Sequence, residues 1–403
     1  MKKAKRIVFI AALLFAALLF TCACAEEARD ISAGCKFKPN SGSWKVTRLT
    51  NGDYNSYWQS GEVKNPYLCI TSPEPMQTLY LCFHDMPQSY ELQRRENGEW
   101  VPFIEGDTRF HHICYDVNGE TEIRIQSTQK KKHRLAFNEI FVFGPGELPG
   151  WVQRWEETEE KADLLLLVAH PDDELIFFAG LIPTYDVELD KRMVVAYMTY
   201  ANGSRRSEAL NGLWSMGVRN YPVFGPIVDK YSTSLDTAYK KAGKKKVLTW
   251  VTELFRQYQP EVVITHDIKG EYGHGQHRMM ADAGIRCYEL AADAANYPES
   301  AEQYGVWEVK KLYIHRYGDK ADRLYFGWDQ PLQSLGGKTG MELAIDAFAK
   351  HVSQQGLTFH VKGRPQPLTV DGVGGYYENT DFGLYASRVG EDVARNDFME
   401  HIE

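Results

Sequence analysis

The sequence lacks several features that define large classes of proteins. It has 46 Lys and Arg against 54 Asp and Glu, a formal net charge of −8, so it lacks the positive surface that binds duplex nucleic acid. After residue 20, no unbroken apolar run approaches the about 18 residues of a membrane-spanning helix. No Gly-x-Gly-x-x-Gly motif follows its first buried strand, which leaves dinucleotide binding without support. We therefore expect no nucleic-acid partner and no transmembrane segment in the mature protein.

The first 25 residues predict a secretory signal peptide. Basic residues 2–6 precede a short apolar run, residues 7–20, and Ala23-Cys24-Ala25 has the small–x–small pattern of a cleavage site. We expect a mature chain that starts near Glu26, carries a net charge of −12 without the four basic residues of the leader, and is secreted or held at the cell surface. A retained membrane anchor or a lipoprotein anchor at Cys22 or Cys24 is the alternative, although the residues before Cys22 fit a lipobox poorly.

Four cysteines lie in the first third of the mature chain, namely Cys35, Cys69, Cys82 and Cys114. Because exported domains form disulfides, these cysteines predict two bridges, and three pairings remain open. Cys287 falls on the apolar face of a helical pattern and is interpreted as a buried, unreactive thiol.

The 403 residues exceed what one compact core usually holds, and two patterns divide them. Residues 26–146 show short alternating runs separated by turn dipeptides such as Asn97-Gly98 and Asn118-Gly119, which predicts an all-β jelly-roll sandwich. The clearest strand predictions are residues 44–47, 79–83, 122–125 and 140–143.

A glycine- and proline-rich linker at residues 144–150 separates this part from residues 147–403, where the period changes. Fully apolar runs at 164–168, 193–198 and 262–264 are typical of buried parallel strands, and amphipathic helical patterns lie between them. Strands that alternate with helices predict an α/β domain with a parallel sheet covered on both faces.

Chemistry-bearing residues follow two of these strands. The first strand runs into Ala169-His170-Pro171-Asp172-Asp173-Glu174. Acids at a helix start can be plain caps, but three carboxylates in succession beside a histidine crowd like charges, which is tolerated where a cation or a reaction requires it. His170 and Asp173 are three residues apart and can bind one metal ion.

A second cluster follows the strand at 262–264. It begins with Thr265-His266-Asp267 and continues through Gly273-His274-Gly275-Gln276-His277. Two histidines and one carboxylate with an open fourth position form a catalytic zinc arrangement, and the carboxyl ends of parallel strands are where α/β sheets bind ligands. Together the clusters favour a metal-dependent hydrolase over isolated core histidines. His266 and Asp267 either orient His277 or merely end the strand.

Ala-His-Pro-Asp-Asp-Glu at 169–174 together with Gly-His-Gly-Gln-His at 273–277 resembles the PIG-L/LmbE family of zinc-dependent deacetylases. Arg205-x-x-Glu208 and Gly217-Val218 match further family positions, and the similarity covers roughly residues 161–315. The resemblance implies a Rossmann-like α/β fold and removal of acetyl groups from N-acetylglucosamine-type sugars.

Carried over position by position, the resemblance implies that the metal ion, Zn²⁺ or another divalent cation, is bound by His170, Asp173 and His277. It implies that Asp172 is the general base, that protonated His274 stabilises the oxyanion or protonates the leaving amine, and that Arg205 contacts substrate. The family often has Pro-Asp where this chain has Gly275-Gln276. That departure removes a carboxylate and leaves the orientation of His274 open.

The amino-terminal part carries a second resemblance. Residues 49–58, Leu-Thr-Asn-Gly-Asp-Tyr-Asn-Ser-Tyr-Trp, and residues 135–143, Leu-Ala-Phe-Asn-Glu-Ile-Phe-Val-Phe, are similar to the ends of discoidin, or factor 5/8 type C, domains. Such galactose-binding-like sandwiches commonly bind glycans, sometimes with Ca²⁺. The alternative is that Tyr54, Tyr57 and Trp58 are core aromatic residues of a sandwich that binds nothing.

These patterns predict an exported zinc-dependent hydrolase that removes the N-acetyl group from an N-acetylglucosamine-type sugar in a glycan or glycoconjugate, with a β-sandwich that binds a cell-surface glycan. Two alternatives stay open: a catalytically inactive cell-surface carbohydrate-binding protein, and a deacylase of a small exported amide. Residues after about 317 are expected to wall the substrate cleft. His315 and His351 are expected to have surface or packing roles, with contact to substrate as the alternative.

Overall fold

The computed structural model describes residues 26–42, 45–158, 161–200, 202–361, 364–373 and 377–402. The predicted signal peptide, with Cys22 and Cys24, lies outside these residues. In the described part of the chain, no helix combines the length and the apolar character needed to cross a membrane.

The amino-terminal region is built entirely from antiparallel strands. They are β1 (Lys36–Pro39), β2 (Trp58–Gln59), β3 (Tyr67–Phe83), β4 (Tyr90–Glu96), β5 (Glu99–Glu105), β6 (His112–Ser127) and β7 (Ala136–Phe143). The strand order is β2-β7-β3-β6-β4-β5, with β1 paired to β3. The predicted all-β class is therefore confirmed, whereas the jelly-roll arrangement and the boundary at residue 146 stay predictions.

Two local predictions in this region are wrong. Residues 44–47 were expected to form a strand, but the described residues Val46–Leu49 form a 3-10 helix, and Trp44 lies outside the described residues. Asn118-Gly119 has the positive φ angles of a tight turn but lies inside β6, beside a register shift in β3, so it kinks the strand and does not reverse the chain. Asn97-Gly98 does join β4 to β5 as predicted.

The two predicted disulfides are absent, because all described cysteines are free thiols. Strand register explains this for Cys82 and Cys114. Cys82 lies opposite His112, and Cys114 lies opposite Tyr80, so the two cysteines are diagonal and not facing neighbours in the β3–β6 pair. Diagonal positions are about 7–8 Å apart, which is too far for an S–S bond without backbone movement. Cys287 is buried, as predicted.

The carboxyl-terminal region contains a second seven-stranded sheet. Its strands are β8 (Leu164–Val168), β9 (Met193–Thr199), β10 (Val223–Ile227), β11 (Val262–Thr265), β12 (Lys311–His315), β13 (Leu324–Tyr325) and β16 (Asp381–Ser387). The order is β10-β9-β8-β11-β12-β16-β13, and the first five strands are parallel. The predicted α/β domain with parallel strands is confirmed. A separate hairpin joins β14 (Thr358–Val361) to β15 (Arg364–Pro367).

Helices cover both faces of this sheet. They are α1 (Asp173–Ile176), α2 (Gly203–Ser215), α3 (Leu235–Ala242), α4 (Lys244–Tyr258), α5 (Gly275–Leu290), α6 (Pro298–Tyr304) and α7 (Gly340–Phe348). Alternate residues of β8 show the two layers, because Leu166 packs in the core beneath α1, α2 and α7, whereas Leu165 and Leu167 pack beneath α3, α4 and α5. Burial on both faces explains why this strand is apolar without alternation.

The two regions meet at α2 through buried polar contacts. His112 Nδ1 donates to Gln153 Oε1 at 2.7 Å, and His112 Nε2 accepts from Ser207 Oγ at 3.0 Å. The buried Arg206 donates to the carbonyl of His84 at 2.6 Å. The amino-terminal sheet therefore holds the helix that also carries Arg205.

Because these contacts bury the titratable side chain of His112, they make the free energy of unfolding depend on pH. Burial lowers the pKa of His112 to about 3, against the opposing hydrogen bond of Gln153. In the unfolded chain His112 takes up a proton near pH 6.5, whereas in the folded chain it does so only near pH 3. Its contribution to the free energy of unfolding is therefore complete above pH 6.5 and is lost as the pH falls toward 3.

We expect His112→Ala to reduce the slope of unfolding free energy against pH between pH 6 and 4 by up to about 1.4 kcal/mol per pH unit, measured by urea denaturation. The control is His401→Ala, whose side chain is 42% exposed and which should keep the parent slope. Equal slopes for the parent and His112→Ala would contradict the assignment.

Candidate metal centre

Two adjacent strands bring the two predicted clusters together. β8 and β11 are parallel neighbours, with Leu167 opposite Thr265, so both end at the same edge of the sheet. His170 and Asp173 follow β8, and His277 lies in the first turn of α5. His170 and His277 are more than a hundred residues apart in the sequence, yet they meet at the carboxyl edge of the sheet, where open α/β sheets bind ligands.

The three predicted metal ligands converge. His170 Nδ1 lies 3.1 Å from Asp173 Oδ2, His277 Nε2 lies 3.3 Å from Asp173 Oδ1, and the two imidazole nitrogens are 3.3 Å apart. Four tetrahedral ligands about 2.0–2.1 Å from one Zn²⁺ ion stand about 3.3 Å from each other. The residues present therefore fit a tetrahedral divalent ion with one position left for another ligand.

Hydrogen bonds on the far sides of both imidazoles free the nitrogens that face the metal position. His170 Nε2 donates to Gln276 Oε1 at 2.9 Å, which leaves Nδ1 as the lone-pair donor. His277 Nδ1 donates to Glu271 Oε2 at 2.8 Å, which leaves Nε2. Such outer partners fix the tautomer and orientation of metal-binding histidines. Gln276, predicted only as a departure from the family pattern, thus supports His170.

Glu271 was not predicted from the sequence, and it is the central acceptor of the site. Its carboxylate accepts from His277, from His266 at 2.8 Å and from His315 at 2.7 Å, and it is buried. Burial alone would raise the pKa of Glu271, but the charge and hydrogen bonds of the surrounding histidines hold it well below its usual range. The sequence signal for Glu271 was its position, a carboxylate in the glycine-rich loop between His266 and His274.

His266 has the orienting role that the sequence left open. Its ring stacks on His277 at 4.2 Å with an interplanar angle of 17°, and its Nε2 accepts from the backbone of Ala169 at 3.0 Å. His315 likewise packs against Phe177 and Phe178 behind the site. His266 therefore contacts the predicted ligand His277 directly, whereas His315 reaches it only through Glu271.

Asp172 sits beside the ligands in a strained conformation. Its φ is 119°, in the left-handed region that non-glycine residues seldom adopt, and its backbone N–H donates to Glu174 Oε2 at 2.8 Å. Arg205 Nη2 lies 3.0 Å from Asp172 Oδ1 and also donates to the carbonyl of Pro171. Burial raises the pKa of Asp172 to about 7, although Arg205 acts in the opposite direction.

His274 lies beside the two predicted histidine ligands. Burial, with the nearby His277 and His170, lowers its pKa to about 2. His274 Nδ1 accepts from the backbone N–H of Gln276 at 3.2 Å, which leaves Nε2 to face away from this bond. The catalytic role expected of a protonated His274 stays a prediction.

An open cleft of about 380 Å³ faces these residues. Its polar lining includes Arg205, Asp229 and Tyr272, and a wall is formed by Gln354 and Thr358. The expectation that residues after 317 wall the cleft is confirmed. Asp229, from the loop after β10, had no sequence signal, yet its Oδ1 lies 3.4 Å from His170 Nε2.

The remaining predicted cofactor, Ca²⁺ in the β-sandwich, stays a prediction. Among the described residues, two groups of His and Asp side chains could hold an ion, His170–His274–His277 and Asp173–His266–His277. Both lie in the carboxyl-terminal region, and each contains two of the three predicted ligands.

Fold and site together define an α/β protein with a candidate metal centre of two histidines and an aspartate at the carboxyl edge of a parallel sheet. The family model described as PIG-L, GlcNAc-PI de-N-acetylase, matches residues 165–288, so the chain contains a PIG-L domain. This confirms the family resemblance of the sequence motifs.

Individual relatives are distant. A 1D-myo-inositol 2-acetamido-2-deoxy-alpha-D-glucopyranoside deacetylase 1 of Catenulispora acidiphila is 24% identical over 55% of this chain and 73% of its own length. A deacetylase of the same description from Rhodococcus erythropolis is 31% identical over 39% of this chain, which spans about three fifths (61%) of that relative. A family 32 carbohydrate-binding module of C. perfringens, solved with galactose, covers 29% of this chain and 99% of the module at 13% identity and a TM-score of 0.25.

The support that Glu271 gives His277 can be tested by metal binding. We expect Glu271→Gln to weaken Zn²⁺ binding by about 10–100-fold, because loss of an outer carboxylate partner misorients the ligand and lowers its basicity. Affinity is measured by competition with a chromogenic chelator. The control, Glu289→Gln on the same helix as His277, changes a side chain that is 75% exposed and should bind Zn²⁺ as the parent does. Unchanged affinity in Glu271→Gln would refute the role.

Proposed function

We propose that this chain is an exported, zinc-dependent hydrolase that removes the N-acetyl group from an N-acetylglucosamine-type sugar in a glycan or glycoconjugate. The observation that carries the proposal is the convergence of His170, Asp173 and His277 beside the unliganded Asp172. The PIG-L domain and relatives named as deacetylases of an acetamido-deoxy-glucoside support the reaction and the substrate class. Export rests on the leader-like first 25 residues.

The metal ion would be held by the two imidazoles and the Asp173 carboxylate, a donor set that suits Zn²⁺ and also accepts other divalent cations. When bound, such an ion lowers the pKa of a water molecule and polarises the acetyl carbonyl. The chain's own contribution is to fix the ligands from behind, through Glu271 and Gln276.

Asp172 is placed to take the proton of the attacking water. Its neighbour Asp173 is occupied by the histidines, whereas Asp172 contacts Arg205 and lines the cleft. A pKa near 7 suits a general base that works near neutral pH. Arg205 orients this carboxylate, so its predicted contact with substrate is joined by a positioning role.

His274 acts as a neutral hydrogen-bond donor in this proposal. With Nδ1 bonded to the Gln276 backbone, Nε2–H donates toward the carbonyl oxygen as negative charge develops. A proton collected by Asp172 is then delivered to the leaving amine, and the products are acetate and a free amino sugar.

The polar character of the cleft supports a sugar substrate. Carboxylate, guanidinium, amide and hydroxyl groups from Asp229, Arg205, Gln354 and Thr358 surround it, and each can pair with a sugar hydroxyl. The aromatic rings of Tyr231 and Tyr272 give it apolar surface for the ring faces. We also propose that the amino-terminal sandwich binds a cell-surface glycan, with Ca²⁺ as the cofactor that its discoidin-like resemblance implies.

Two other functions are consistent with the sequence. An inactive carbohydrate-binding protein has no need to keep the ligand nitrogens free and Asp172 strained, so the site geometry favours the enzyme. A deacylase of a small exported amide would use the same catalytic residues and differ only in what fills the cleft. A panel of N-acetylated oligosaccharides and small acetamides, assayed for acetate, separates these two.

Asp172→Asn tests the mechanism. The substitution keeps the shape of the side chain but removes the proton acceptor, so we expect Zn²⁺ stoichiometry to be unchanged and acetate release to fall by about 10²–10⁴-fold. Metal content is measured by mass spectrometry and turnover by coupled acetate assay.

The matched control is Asp319→Asn, an exposed aspartate away from the cleft, which should retain parent turnover. Parent-level acetate release by Asp172→Asn would remove Asp172 from the mechanism, and a parent protein that binds no divalent metal would overturn the proposed function.

A further inference from the structure

A second cavity, of about 640 Å³, lies beside the carboxyl-terminal half of helix α2, against the segment that carries Trp151 and Gln153. Its volume is within the about 300–1,000 Å³ that small-ligand sites usually have. The residues that carry the argument are Tyr54, Trp151, Asn211, Trp214, Arg219 and Lys350. It shares no lining residue with the catalytic cleft, and the proposed reaction does not use it.

Trp151 offers this cavity a supported aromatic surface. Trp151 is 45% exposed and lines the cavity. Its ring packs against Phe141 at 4.9 Å and against Phe143 at 5.8 Å. The side chain is therefore fixed from behind by the β-sheet while much of its surface faces solvent.

The side-chain amides of Gln153 and Asn211 also line the cavity, and hydrogen bonds fix their orientation. Gln153 Nε2 donates to Asn211 Oδ1 at 2.6 Å, and Gln153 Oε1 accepts from both His112 and Trp155. Because these bonds hold both amides in one orientation, a ligand that binds here meets fixed polar groups, which lowers the entropy lost on binding.

The charge of the cavity is positive. Arg219 stacks on Trp214 with its guanidinium carbon 3.8 Å from the ring centroid, and Lys350 is exposed at the rim. Among the described residues, those that line the cavity include no Asp or Glu. A cationic ligand is therefore disfavoured, whereas a neutral or acidic polyhydroxyl compound fits.

Two elements connect the cavity with the catalytic cleft. Helix α2 contributes Arg205 to the cleft and Trp214 to the cavity, a separation of about 13 Å along the helix axis. The 3-10 helix Val352–Gln354 contributes Val352 to the cavity and Gln354 to the cleft. The two sites therefore lie on the same two elements of the fold.

We propose that this cavity is a saccharide subsite that binds a second part of the glycan whose acetylated unit occupies the metal cleft, a proposal that rests on the proposed function. A sugar ring stacks on Trp151, Asn211 pairs with its hydroxyls, and Arg219 and Lys350 favour a chain that carries carboxylates.

The test measures binding apart from turnover. In the Asp172→Asn background, a hyaluronan tetrasaccharide and an N-acetylglucosamine tetramer are titrated by calorimetry. We expect both to bind, the hyaluronan fragment more tightly, and we expect Trp151→Ala and Asn211→Ala each to weaken the affinity by at least tenfold. Tyr325→Ala is the matched control, an aromatic residue that is 64% exposed outside the cavity, and should bind as the parent does.

The result that overturns the subsite is either no binding of both tetramers or parent affinity in Trp151→Ala. Two variants are used because Trp151→Ala could weaken binding through a folding defect, whereas Asn211→Ala leaves the indole of Trp151 in place. Failure of the proposed reaction is seen separately, because acetate release by the chain with native Asp172 is assayed on N-acetylglucosamine monomer and tetramer. Loss of activity with retained, Trp151-dependent binding would leave the subsite standing.

Discussion

The buried carboxylate of Asp173 joins the two halves of the candidate site. It lies within 3.3 Å of imidazole nitrogens from His170, His266 and His277, which come from segments about a hundred residues apart. The Asp173 carboxylate is buried, and its Oδ2 accepts from the backbone N–H of His170 at 2.7 Å. A fully buried anion of this kind is costly unless it is surrounded by donors or a cation. A divalent ion held by His170, Asp173 and His277 would supply that cation.

Around this contact the protein divides its acid–base groups by environment. Glu271 collects three histidine hydrogen bonds and stays ionised, whereas burial beside Asp172 raises the pKa of Glu174 to about 8. Burial and two nearby imidazoles lower the pKa of His274 to about 2. The two glutamates thus have pKa values shifted in opposite directions, which is the pattern expected of a catalytic site.

The amino-terminal sheet takes part in the same arrangement. Through His112 and the carbonyl of His84, it contacts Ser207 and Arg206, the two residues that follow Arg205 on helix α2. The sheet is therefore a support for the residue that orients Asp172, besides any glycan it binds. The saccharide subsite that we propose lies on the same helix, so substrate recognition and catalysis share one rigid element.

The sequence by itself determined the two fold classes, because strand and helix periodicities are local. Its short His-x-x-Asp and Gly-His-Gly-Gln-His motifs, with the family resemblance they carry, also predicted which side chains would meet at one edge of the sheet. It could not determine the disulfides, since whether two thiols face each other depends on strand register. Nor could it find Glu271 or Asp229. Those depend on which side chains from distant segments share a buried volume, and only the packing of β8 against β11 and of α2 against the amino-terminal sheet decides that.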